Sequence, residues 1–91
     1  MPRYWLFITS PENFEICVRL GLWGVDYTKR MIKEVSIGDH AFFYIRGRQV
    51  LIGLFIVTSN MFEEYRQIWP NKLYPFRVKI QQLKNIREIN I

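Results

Sequence analysis

The chain has 91 residues, 49% hydrophobic, 16% aromatic and 23% charged, with a formal net charge of +5. That is the composition of one globular domain spanning 1–91, small enough to bury only about 60–65% of the surface its unfolded chain exposes, and it excludes a disordered or low-complexity chain. A single cysteine, Cys17, excludes an intramolecular disulfide and points to a reducing, cytoplasmic compartment.

The N-terminal "MPRYWLFITSPEN" is too short and too polar at its end for a signal peptide. "YWLFIT" (Tyr4 to Thr9) is β-branched and aromatic and reads as a buried strand. Ser10 and Pro11 then start a helix, a hydroxyl cap followed by a residue whose missing N–H costs nothing there. The helix runs to about Leu20 and stops at Gly21. Glu12, Glu15 and Arg19 share its polar face. Ile16, Cys17 and Leu20 face the core, and Asn13 falls among them, where a polar group is out of place. Next comes Trp23, in a turn between Gly21 and Gly24.

"YTKRMIKEV" offers Thr28 as the cap of a short basic helix, and "SIGD" (Ser36 to Asp39) is a turn. "HAFFYI" is a second strand, and "RGRQ" (Arg46 to Gln49) has the length and glycine of a hairpin loop. "VLIGLFIVTS" is a strand apolar on both faces, too short to span a membrane, with Gly53 marking a bulge or a close backbone approach. "MFEEYRQIW" is a short helix or structured loop ending at Pro70. In "YPFRVKI" Tyr74, Phe76, Val78 and Ile80 point one way and Arg77 and Lys79 the other. The tail "LKNIREINI" adds one more short strand. Two helices packed on a curved or barrel-like antiparallel sheet follow from this order.

Signs of catalysis or metal binding are nearly absent. His40 opens a strand in a structural role, Cys17 is a small core residue, and Asp26 and Asp39 stabilise turns. No metal-ligand spacing, phosphate loop or nucleophile elbow occurs. The expected protein is therefore not an enzyme and needs no cofactor or metal. A binding constellation remains. Small residues beside Trp23 allow a flat group to lie on its ring, as nucleobases do for about 1–3 kcal/mol each. An amide such as that of Asn13 can read the edge of a flipped base. The positive charge suits nucleic acid. Plainer roles stay open: Trp23 plugging the barrel end, Asn13 reaching back to the Ser10 N–H, Trp69 anchoring its loop, and the basic residues serving as solvated surface.

"YWLFITSPENFEICVRLGLWGV" followed by "VSIGDHAFFYIRG" resembles the start of EVE domains, of the PUA-like superfamily, and is closest to a small archaeal branch. The glycine in "IGLFIVTS" and the run "YPFRVKI" extend the likeness to about Ile80. The resemblance implies an α+β fold, a PUA-like curved antiparallel sheet or barrel with two short helices. EVE domains look like relatives of YTH domains, which enclose a flipped N6-methyladenine of RNA in an aromatic cage. EVE domains themselves are linked to modified bases, including modified cytosines in DNA.

By position Trp23 matches the cage tryptophan, Asn13 the helix asparagine on the base, and Ser10 the loop supplying polar contacts to the base edge. Trp69 is the second wall, and backbone groups near Gly24 complete the pocket. The reading implied is a non-catalytic module that takes a flipped, modified base of RNA or DNA. Lys29, Arg30, Lys33, Arg46 and Arg48 would hold phosphates. No membrane partner is expected. Members of the branch continue beyond Ile91 through a further helix and strand, so the chain reads as shortened, and a homodimer supplying the missing part stays open. The alternative is a structural, oligomerisation or protein-interaction module whose aromatics serve only burial.

Overall fold

The computed structural model describes residues 2–26 and 30–90, with the side chains of 30, 31 and 84–90 left aside. Its elements are β1 (Tyr4–Thr9), α1 (Pro11–Leu20), β2 (Leu22–Val25), α2 (Arg30–Glu34), β3 (His40–Ile45), β4 (Val50–Val57), β5 (Phe62–Glu63) and β6 (Phe76–Asn90). α1 starts and stops for the reasons its sequence gives. Ser10 Oγ accepts the Asn13 N–H at 3.3 Å. At the other end Gly21 takes the left-handed conformation, φ 69°, and its N–H returns to the Cys17 carbonyl.

The strands form one curled, half-barrel sheet in the order β1-β3-β4-β6-β2, with β5 also paired to β6. The expected α+β architecture with two short helices stands, with one difference in strand direction. β1 and β3 run parallel, Tyr4 opposite His40 through Thr9 opposite Ile45. The long α1–β2–α2 connection between them makes this possible, since parallel neighbours cannot be joined by a hairpin. The other pairings are antiparallel.

β6 binds the sheet together. Its first residues pair with β2 on one side and β5 on the other, and from Ile80 onward it pairs with β4. The "LKNIREINI" tail is thus the continuation of one 15-residue strand rather than a separate one. Gly53 marks both features expected of it. The β4–β6 register shifts between Gly53 and Phe55, and a Cβ on Gly53 would meet the Phe42 ring at 2.3 Å.

Inside the curl Phe43 takes the edges of Phe7, Phe14 and Phe55 at centroid distances of 5.6, 5.2 and 5.0 Å. Cys17 is buried there as expected. Leu20 departs from the helical projection. It is 46% exposed, because α1 ends at Gly21 before the sheet reaches over it. "MFEEYRQIW" forms a structured loop with the short β5, not a helix. The Thr28 cap proposed for α2 lies outside the described residues.

Asp39 pins the opposite end of the sheet. Its carboxylate accepts the Trp5 indole N–H at 2.8 Å and the backbone N–H groups of Ser36 and Arg3 at 3.0 and 3.1 Å. Burial opposes the charge, but these bonds and the Arg3 charge outweigh it and hold the carboxyl below its ordinary pKa of 3.8. A depressed folded-state pKa contributes stability above the ordinary value and loses it as pH falls through the folded one. Asp39→Asn is expected to cost about 1–3 kcal/mol at neutral pH. In urea titrations the gap to wild type should narrow as pH drops below 3.8.

Candidate functional site

Between α1, the end of β1, β2 and the loop before β6 lies a cavity of about 360 Å³. That is at the small end of ligand pockets, the scale of one planar ring system. Trp23, Asn13, Gly24 and Trp69 all border it. Residues singled out far apart in sequence therefore meet at one place.

Trp23 is held by a strand, not by the expected turn: β2 pairs with β6 and sets Trp23 opposite Val78. One face of its indole lies flat on Phe7, centroids 3.8 Å apart and planes within 1°. Trp23 is also among the residues that border the cavity. The residue is 5% exposed, so the chain itself covers nearly all of it.

The neighbouring glycine does different work from that expected. A Cβ on Gly24 would fall 2.8 Å from the Tyr74 carbonyl, 3.1 Å from Arg77 Cγ and 3.2 Å from the Trp69 ring. The space Gly24 leaves is taken by the chain's own loop, not kept for a visitor. Trp69 is 2% exposed. Its ring meets the edge of Tyr74 at 5.6 Å and 87°, and the Arg77 guanidinium lies 5.1 Å from its centre. The Gln67 side-chain amide donates to the Trp69 carbonyl.

Arg77 corrects the strand reading most sharply. Alternation puts it outside with Lys79, yet it is fully buried. Its Nε donates to the Tyr74 carbonyl at 3.0 Å, Nη1 to Glu64 Oε1 at 2.8 Å, and Nη2 to the Leu73 carbonyl at 3.1 Å. A further bond runs from Nη2 to the Arg66 carbonyl. The loop 64–74 is wrapped around this side chain. Tyr74 adopts φ 48°, a left-handed conformation that costs a bulky residue energy and persists only when its surroundings impose it.

Asn13, 6% exposed, does not reach back to Ser10. Its Nδ2 donates to Asn71 Oδ1 at 2.9 Å, and Asn71 Nδ2 donates to the Tyr74 hydroxyl at 2.7 Å. Ser10 caps the helix and stands outside the cavity lining. Cys17 borders the cavity from α1. Burial pushes its thiol up to about 12, against the opposing pull of a side-chain hydrogen bond with Trp69 and one from its own backbone, so it stays protonated and unreactive at neutral pH.

Of the basic residues, Arg46 borders the cavity. Lys33 and Arg48 are exposed but stand away from it. Lys29 lies outside the described residues, and Arg30 is placed only as the start of α2. Sequence reasoning missed Lys72, which borders the cavity in an ion pair with Asp26 at 3.0 Å. It also missed Tyr74 and Asn71. "PNKLYP" (Pro70 to Pro75) did carry a hint, since prolines at both ends of so short a loop restrict it and aim its side chains.

A curled mixed sheet of six strands with two short helices is an EVE/YTH-like fold. The chain belongs to the EVE domain family, whose model matches residues 3–90. It is 32% identical over 102 aligned positions to a UPF0310 protein of Pyrococcus horikoshii, covering 96% of this chain and 70% of that one. A UPF0310 protein of Pyrococcus abyssi is 30% identical over 94, covering 89% and 66%. Among solved structures it is similar to the YTH domain of the Zygosaccharomyces rouxii MRB1 protein in complex with N6-methyladenosine RNA. That likeness has a TM-score of 0.70 at 16% identity and covers 98% of this chain and 62% of the other, a similarity of fold. The chain thus spans about two thirds of the length of these relatives.

Because Gly24 faces backbone as well as side chains, Gly24→Ala is expected to displace the loop and cost about 1–3 kcal/mol. Urea unfolding followed by tryptophan emission checks this, with the folded-state emission moving to longer wavelength as Trp69 loosens. An unchanged midpoint and spectrum would mean the loop does not depend on this contact.

Proposed function

We propose that the protein is a non-catalytic reader of nucleic acid that takes a single flipped, modified base into the cavity beside Trp23. The observation that carries this reading is the half-built sandwich: an indole stacked on Phe7 on one side and bordering an open cavity, with a buried asparagine amide beside it. A base completing the stack gains about 1–3 kcal/mol. A methyl group on it adds on the order of 1 kcal/mol by leaving water. Trp69 bounds the pocket and Asn13 reads the base edge. Ser10 acts through α1 by fixing the turn that carries Asn13, and Gly24 lets the Trp69 loop close.

Arg46, at the cavity, is the best-placed phosphate contact, with Lys72 beside it. Lys33 and Arg48, exposed away from the cavity, are further phosphate contacts in this reading, and Lys29 and Arg30 enter it from the sequence alone. The fold neighbour's complex with N6-methyladenosine RNA supports a nucleic-acid partner. Family membership supports the non-catalytic assignment. Among the described residues no group of three or more His, Cys, Asp or Glu could hold a metal ion, and no helix is long and apolar enough to cross a membrane.

One observation favours the second reading, an interaction or oligomerisation module. Tyr4, Leu6 and Ile8 on the edge strand β1 are 66, 51 and 52% exposed, and unpaired apolar edges invite other chains. Light scattering with and without oligonucleotide separates the two.

The direct test titrates methylated and unmethylated oligonucleotides, RNA and DNA, against wild type, Trp23→Ala and Arg46→Ala, each checked for folding by circular dichroism. Trp23→Phe, which retains a ring against Phe7, stands in if the alanine variant unfolds. Trp23→Ala should lose the preference for the modified base, and Trp23→Phe, with its smaller ring, should reduce it. Arg46→Ala should weaken all sequences alike and reduce the salt slope by about 1. A tryptophan variant that folds and retains the full preference removes the cavity from the account.

A further inference from the structure

We propose that the outer face of β1 and β3 is a second nucleic-acid contact, where bases next to the flipped one stack on Tyr4. This rests on the base-reading function above and extends that site along the strand that carries the base. Side chains alternate along β1. Phe7 and Thr9 are buried, while Tyr4, Leu6 and Ile8 are 66, 51 and 52% exposed. A row of large apolar side chains open to water marks an interaction site. Tyr4 is not in the cavity lining, so receiving the flipped base does not account for it.

Each of the three has a ring beside it. β3 pairs Tyr4 with His40, Leu6 with Phe42 and Ile8 with Tyr44, and paired residues share a face of the sheet. Tyr4 stacks on His40 with centroids 5.1 Å apart and planes at 17°, and Phe42 follows at 6.4 Å and 26°. These contacts set the tilt of the Tyr4 ring, yet the residue stays largely exposed. Sheet faces that present aromatic rings are used to stack two or three bases of a single strand. Such stacking tolerates any sequence, because every base has a π-face.

Charge selects the occupant. No Asp or Glu occurs in β1, β3, β4 or the Arg46–Gln49 hairpin, although the chain has 8 acidic residues. The hairpin contributes Arg46 and Arg48, both exposed, and the Arg46 N–H is fastened to the Thr9 carbonyl at 2.9 Å. Rings and cations without a carboxylate suit a polyanion that carries flat bases. β1 is also where the sheet ends. Leu6 and Ile8, on the same face as Tyr4, border the cavity, so the cavity and the outer face are continuous around this edge. Successive side chains on one face of a strand stand about 6.6 Å apart. Tyr4 is one such step beyond Leu6, within a nucleotide or two of a base in the cavity.

The test uses single-stranded oligonucleotides with the modified base at the centre, in two forms. One is complete; the other has abasic residues at the two positions on either side, which keeps every phosphate and removes the neighbouring bases. Wild type should bind the complete form about fivefold or more tighter. Tyr4→Thr keeps a strand-favouring residue and removes the ring. It should bind the complete form about fivefold or more weaker than wild type, and the abasic form within about twofold of it. Its preference for the modified over the unmodified base should be unchanged, and Tyr4→Phe should match wild type. Wild type that binds both forms equally, or a Tyr4→Thr effect that is absent or equal on both, overturns the second contact; the pocket then stands if Trp23→Ala still removes the preference. A wild-type dimer in light scattering that Tyr4→Thr splits into monomers makes the face a protein interface and overturns the contact too. A folded Trp23 variant that keeps the full preference, with the Tyr4 pattern intact, overturns the base-reading cavity alone.

Discussion

The guanidinium of Arg77 is the contact on which the candidate site depends. It is fully buried, and a buried charge is tolerable only when its donors are met. Here the acceptors are the Glu64 carboxylate and the backbone carbonyls of Arg66, Leu73 and Tyr74. Satisfying one side chain therefore folds a loop that contains no helix and only the two-residue β5 at its start. The same group lies 5.1 Å from the centre of the Trp69 ring, where a desolvated cation is attracted to the ring face. The positions of Trp69 and Tyr74, and through Tyr74 the hydrogen bonds that run by way of Asn71 to Asn13, all follow from where β6 places this arginine.

A second constraint is the contrast between the two tryptophans of the cavity. Trp23 rests flat on Phe7, on a β2 strand that β6 holds in register. Trp69 belongs to the loop and is fixed by edge contact, cation and Gly24. One ring is anchored by the sheet and the other by Arg77. A site built this way has a rigid floor and a wall whose position depends on one buried charge.

Much of the fold was legible in local sequence. β1, α1, β3 and the Arg46–Gln49 hairpin fall where their caps, turns and alternation put them, because those signals act between near neighbours. The errors share a cause. Leu20 is exposed because the sheet does not extend over the end of α1. Trp23 lies in a strand because β6 pairs with a segment whose own glycines suggest a turn. Arg77 is buried because a loop folds over one face of β6, and nothing in the alternating "FRVKI" distinguishes it from Lys79.

For the site, the sequence alone determined the residue types capable of receiving a flat ligand. It offered a tryptophan beside glycine, an asparagine on an apolar helix face, a second tryptophan before a proline, and a basic balance of charge. Tertiary structure decided which of these meet. It brought Asn13, Trp23, Gly24, Trp69 and Arg46 to one cavity, placed Ser10 behind Asn13 as a cap, and added Tyr74, Asn71 and Lys72. The physical reason is the range of the interactions. Caps, turns and periodicity act within a few residues along the chain, whereas the Asn13–Asn71 bond spans 58 positions and exists only once β6 has drawn the loop against α1.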